Sequence, residues 1–184
     1  MTYKIKEPIV QINGYQIREA IKRWMLQRDT FQSQFKDSLF AFENDAKNPP
    51  LKIMNLFEAA DYNVARLESI QQRFNQIVNV TVQKDTMPLT MAVKLVGGAG
   101  RREKLWRDAA IPKKDRYSYR DDTSRSKDNE YARSTITQEV AVQQSQDASR
   151  YASAIRNAIA RGNSTDVNIE SLDLTEDEFK LLFE

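Results

Sequence analysis

The sequence predicts an all-α fold: two long antiparallel helical hairpins in a four-helix arrangement, with short extended segments and a C-terminal helical arm. Three observations predict it. Apolar residues recur at a spacing near 3.5 over long stretches. The stretches are separated by short breaks bearing proline or glycine. The two halves also share one order of features, a pseudo-repeat of helix, break, helix and an asparagine-bearing exit, "FNQIVNVTV" in the first and "IRNAIARGNSTDV" in the second.

The first helix opens near Tyr15, and Ile17, Ile21, Trp24, Phe31, Phe35 and Phe42 put one apolar face along it. Arg28 and Ser38 fall on the same seam. An arginine there is either paired or snorkelling, or it is a charge held in a groove for a ligand. "NDAKNPP" ends the helix, because proline and its predecessor both resist helical continuation. The second helix runs from about Leu51, with Pro50 near its start, and Ile53, Leu56, Phe57, Ala60, Val64, Leu67, Phe74 and Ile77 line one side. So short a break implies an antiparallel hairpin, spanning about 15–79.

"VNVTVQKD" alternates and is rich in valine, so it is read as extended. Thr86-Met87-Pro88-Leu89 reopens a helix whose inward residues are read as Leu89, Val93, Val96 and Leu105. Three of the chain's five glycines, Gly97, Gly98 and Gly100, sit in its middle. Each costs a helix about 1 kcal/mol relative to alanine, so the stretch is a weak point or a place of close packing. Residues 112–133 are polar and aperiodic, a long loop. A fourth helix runs from near Thr137 to Arg161, with Gly162-Asn163 as its stop. Its apolar residues, Val140, Tyr151, Ile155 and Ile159, are sparse, and Gln143, Gln144 and Asp147 dilute the seam. The second hairpin thus covers about 87–162, and one helical-hairpin domain covers 1–165. Residues 166–184 form an acidic arm, in which Thr175 and Glu178 make a capping box and Phe179, Leu182 and Phe183 an apolar stripe. That stripe docks on its own body or on a neighbouring subunit; as an oligomer contact it would join protomers.

Composition narrows function by exclusion. The chain of 184 residues has no cysteine and no histidine. Disulfides, thiolate nucleophiles, Cys/His metal sites and imidazole catalysis are therefore outside its means. No carboxylate pair sits in a recognisable catalytic motif, so no catalytic residue, metal or cofactor is implied. No apolar run approaches the roughly 18 residues of a membrane span, and a soluble, cytoplasmic protein is expected. Net charge is only +2, but it is uneven. Arg101–Lys127 holds ten Lys/Arg against five Asp/Glu, whereas Asp166–Glu184 holds seven acids against one base. A basic middle suggests an anionic partner, and an acidic tail suggests a protein contact.

Several residues carry a resemblance. "LT-x-A" (Leu89, Thr90, Ala92) opens the third helix, and Leu105, Arg107, Ala109 and Ala110 follow. "RYSY" and "SRS" mark the loop, "STITQEV" leads into the fourth helix, and Arg156 and Asn157 lie near its close. In these features the chain resembles the septicolysin-like proteins, a family of small bacterial helical proteins without a settled function. The resemblance covers roughly Asn79–Asn163, with the first hairpin looser. At Leu95–Gly98 the family tends to continue a charged helix where this chain has "LVGG". No cytolytic role is implied, because no membrane-active stretch is present.

The candidate site is the basic middle. "GGAGRREK" lacks the Gly-Lys-Ser/Thr of a phosphate-binding P-loop and is not GxGxxG, but freed backbone N–H groups beside arginines can hold a phosphate. Arg101, Arg102, Lys104 and Trp106 would act with Arg116, Tyr117, Tyr119, Arg120, Arg125 and Lys127 of the loop, and with Arg28. Arginine grips phosphate bidentately, and aromatic rings stack on a base. The leading expectation is a non-catalytic homo-oligomer that binds a small anionic, nucleotide-like ligand; a viral sponge for an immune nucleotide signal would be one instance. The alternatives are an assembly subunit linked by its C-terminal arm, and a weak nucleic-acid binder through 101–127.

Overall fold

A computed structural model describes residues 10–39, 50–110 and 136–184. It has two antiparallel helical hairpins joined at their bases. The order is β1 (Gln11–Ile12), α1 (Gly14–Ser38), α2 (Pro50–Ile77), β2 (Asn79–Val82), β3 (Asp85–Pro88), α3 (Leu89–Ala110), α4 (Gln138–Asn163), β4 (Val167–Asn168), a 3-10 turn (Ile169–Leu172) and α5 (Glu176–Phe183). The order β–α–α–β occurs twice. Strand pairing respects the repetition: β2 pairs antiparallel with β3, and β1 with β4. Exchanging the halves turns one pair into the other.

Local chemistry sets the boundaries. Asn13 caps α1: its Oδ1 accepts from the N–H of Tyr15 and Gln16, while Gln16 Oε1 accepts from the N–H of Asn13 at 3.0 Å. Pro50 opens α2, where its missing N–H is no loss. Thr86 and Met87 belong to β3, not to the third helix. Pro88 closes that strand opposite Asn79, and α3 begins one residue later. Thr137 caps α4 through Val140 N.

Each helix buries a seam with a step of three or four residues. In α1 the least exposed positions are Ile17, Ala20, Trp24, Arg28, Phe31, Phe35 and Ser38, close to the expected face; Phe42 lies outside the described residues. In α2 the seam is Ile53, Phe57, Ala60, Val64, Leu67, Gln71 and Phe74, so Leu56 and Ile77 point outward instead. In α3 it is Leu89, Ala92, Val96, Ala99, Glu103 and Trp106; Val93 and Leu105, expected inside, are exposed. In α4 small residues dominate it, Ala141, Ala148, Ala152, Ala158 and Gly162 beside the larger Ile155, with Val140 outside. Alanines let two backbones approach without large side chains between them.

One polar bridge crosses each hairpin. Arg28 of α1 donates to Asp61 of α2 at 3.3 Å, and Glu103 of α3 accepts from Ser149 and Arg156 of α4 at 3.2 and 2.8 Å. Arg28 and Glu103 sit at the same step along their helices, counted from Gly14 and from Leu89. A seam charge held by particular side chains of the facing helix disfavours slipped registers.

The main core lies at the joined bases, where Ile12, Ile17, Phe74, Val80, Leu89 and Ile155 meet. Two glycines make that meeting possible. A Cβ on Gly14 would lie 2.6 Å from Asn163 Oδ1 and 2.9 Å from Phe74 Cε1; one on Gly162 would lie 2.6 Å from Val80 Cγ1. Gly162 is thus inside α4 as a packing residue rather than as its stop.

Residues 166–184 are not a free arm. Ile169, Leu172, Leu174 and Leu182 are buried in the same core. Arg66 donates to the Asp173 carbonyl and to Glu178, and Arg73 pairs with Asp173 and donates to the Ser171 carbonyl. Trp24 Nε1 and Arg23 both donate to the Leu182 carbonyl, at 3.0 and 2.8 Å. The expected capping box forms between Thr175 and Glu178.

Candidate anion-binding face on the third helix

Gly98, Arg101, Arg102, Leu105, Trp106 and Ala109 line an open concavity of about 470 Å³. Counted from Gly98 they fall at i, i+3, i+4, i+7, i+8 and i+11, so a single stripe of α3 builds the whole feature. The stripe lies beside the seam that faces α4. Trp106 belongs to both and is half-buried, whereas Leu105 is 71% exposed. Gly98 and Ala109, lacking bulk, leave the hollow on either side of Leu105.

Arg101 and Arg102 are exposed and have no acidic partner among the described residues. The nearby acid Glu103 turns into the hairpin instead. Arg156, hydrogen-bonded to it, and then Ser149 and the charge of Arg107 hold its carboxyl below the usual carboxylate range. The two guanidiniums beside the hollow therefore keep their donors for an incoming anion. Lys104 is exposed too, but does not line the hollow.

The structure corrects the glycine-loop expectation. α3 runs unbroken from Leu89 to Ala110, and none of its glycines has a positive φ. Their N–H groups are spent inside a helix and form no phosphate cradle. Nor are they close-packing residues: a Cβ at Gly98 or Gly100 would meet nothing within 4 Å, and at Gly97 only Arg101 Nη1 at 3.7 Å.

Arg28 does not join this face. It lies in the other hairpin, where Asp29 and Asp61 bind it and hold its guanidinium above its ordinary pKa. The paired reading is the one the structure gives. Arg116, Tyr117, Tyr119, Arg120, Arg125 and Lys127 lie outside the described residues. Phe179, Leu182 and Phe183 are turned onto the chain's own core, with the two phenyl rings stacked at 5.1 Å, so the docking on its own body is the one this fold contains.

A second hollow, about 510 Å³, went unread in the sequence. Asn79, Thr81 and Gln83 of the β2–β3 hairpin face Arg161, Gly162 and Thr165 at the end of α4. Gln83 turns the hairpin with a left-handed φ of 56°, costly for a residue with a Cβ. Residues so far apart in sequence give no local signal of meeting.

Among the described residues, no group of three or more acidic, histidine or cysteine side chains could hold a metal ion. No described helix is long and apolar enough to cross a membrane. Comparison with protein-family models, curated proteins and solved structures finds no match for this chain.

Proposed function

We propose that this is a non-catalytic, self-associating binding protein whose α3 face takes a small anionic, nucleotide-like ligand. One observation carries the reading: two unpaired guanidiniums, Arg101 and Arg102, border a hollow walled by Leu105 and Trp106. Guanidinium forks suit phosphate oxygens, and an indole beside an aliphatic wall suits a planar base. A hollow built from one helix is open on one side, so a tight site needs a second wall. The 112–133 segment, with its arginines and tyrosines, is the nearest supply in sequence. Such a protein would act by sequestering its ligand in the cytoplasm, and its motifs from Leu89 to Asn157 resemble those of the septicolysin-like proteins.

Thermal denaturation of nucleic-acid-free protein against a panel of cyclic and linear nucleotides tests this. A ligand at a hundredfold its Kd stabilises by about 2.7 kcal/mol, a rise of roughly 5–11 °C for a domain of this size. R101A/R102A should abolish the rise. No shift with any nucleotide would overturn the reading.

A further inference from the structure

We infer that the α3 face also receives a second copy of this chain, through the outward side of that copy's α5. The inner side of α5 is spent in cis, with Leu182 buried and Phe179 and Phe183 packed on the core. Its outer side carries Asp177, Leu181 and Glu184 at steps of four and three, so they share one face. Leu181 is 62% exposed. Glu176, Asp177 and Glu184 have no basic partner among the described residues, unlike Glu178 and Asp173, which Arg66 and Arg73 hold.

The α3 stripe is its complement. There an exposed leucine, Leu105, stands beside unpaired cations, Arg101 and Arg102, and the hollows at Gly98 and Ala109 leave room for an apolar knob. Asp108 on α3 and Lys180 on α5 run against the general polarity, but they are opposite in sign to each other. An exposed leucine flanked by two carboxylates thus complements an exposed leucine beside two guanidiniums. In cis, α5 is fastened to α1 and α2 through Trp24, Arg23 and Arg66, so a copy's own α5 stays at the hairpin bases.

The contact joins two different patches, so it is heterologous and propagates head to tail into a ring or a filament. It shares with the proposed function the same pair of guanidiniums. A nucleotide-like anion and the α5 carboxylates then compete for them, and ligand loading would release the assembly.

Charge exchange tests the docking. Light scattering on a sizing column, over a wide range of protein concentration, should give the unaltered chain a mass above one copy that falls with added salt. R101E/R102E and D177K/E184K should each run as single copies with unchanged circular dichroism. An equimolar mixture should regain the larger mass, because it restores opposite charges at both kinds of contact. L181A, a milder change, should weaken assembly without reversing any charge. A single-copy mass for the unaltered chain at every concentration, or an unchanged mass for the reversed variants, overturns the docking. The nucleotide panel is then run on D177K/E184K, which keeps its α3 face intact. A thermal shift there, with no assembly of the unaltered chain, sinks the docking alone. Assembly with no thermal shift supports the docking and sinks the ligand reading alone.

Discussion

Glycine-to-alanine substitution divides the glycines into two groups with opposite signs. In α3, G97A/G100A adds two methyl groups that meet open space or only the far end of Arg101. Each removes a helix penalty of about 0.5–1 kcal/mol, so the pair should stabilise by roughly 1–2 kcal/mol. For a domain of this size that is a rise in Tm of about 2–8 °C. At Gly162 the new Cβ would stand 2.6 Å from Val80 Cγ1 and 3.1 Å from Leu89 Cδ1. Both neighbours are buried, and the valine is stiff about χ1. Overpacking of about 1–3 kcal/mol then outweighs the helix gain, and Tm should fall. G14A should fall as well, since its Cβ would press on the Asn163 backbone at 3.2 Å in addition to two side-chain atoms. Thermal and urea denaturation followed by circular dichroism reads all three variants. If G97A/G100A lowered Tm as G162A does, the α3 glycines would have to pack against something. The open face on which the candidate site depends would then be wrong.

Other perturbations probe the C-terminal segment, the ion pairs and the site. L182A should cost about 2–5 kcal/mol, as for any fully buried leucine, and T175A about 1 kcal/mol through loss of the cap; if both left urea midpoints unchanged, α5 would not be docked. Glu103 and Glu178 are held below the ordinary carboxylate pKa, Glu103 first by Arg156 and Glu178 first by the Thr175 backbone N–H. Their contribution is therefore complete above the unfolded-state value and is lost as pH falls through the folded one. Urea midpoints should be flat near neutrality and drop in acid, and E103Q/E178Q should show a shallower drop. R101A/R102A should change stability by no more than about 0.5 kcal/mol while removing any ligand-dependent rise in Tm; a large loss of stability would mean the arginines are structural.

The first hairpin was legible because large residues mark its seam. Ile17, Trp24, Phe31 and Phe35 stand out at heptad spacing, and Arg28 shows its position even though its partner, Asp61, could not be read. The second hairpin was half legible. Its seam is written in Ala92, Ala99, Ala141, Ala148 and Ala152, which carry little hydrophobic signal, so attention falls on Val93, Leu105 and Val140, which face outward. The tail was half legible: Leu182 shows in the apolar stripe, whereas Ile169, Leu172 and Leu174, buried in the same core, stand singly among seven acids. For the candidate site, the sequence pointed to Arg101, Arg102 and Trp106, which line one hollow, and to Arg28, which instead pairs with Asp61 in the other hairpin. Leu105 and Gly98 were missed as its walls, because a helix face becomes a site only once the opposite face is known to be buried.

The pairing of Gln11 with Asn168 has a bearing on synthesis. Each hairpin is local in sequence and can form soon after its second helix leaves the ribosome. β1 cannot. Its partner strand is translated only after both hairpins, as are the buried Leu172, Leu174 and Leu182 that seal the floor beneath Ile12 and Ile17. A nascent chain thus carries a finished pair of coiled helices over an unsealed base until translation has passed residue 182. Chaperones would meet that apolar base, and not the hairpin shafts, during the wait.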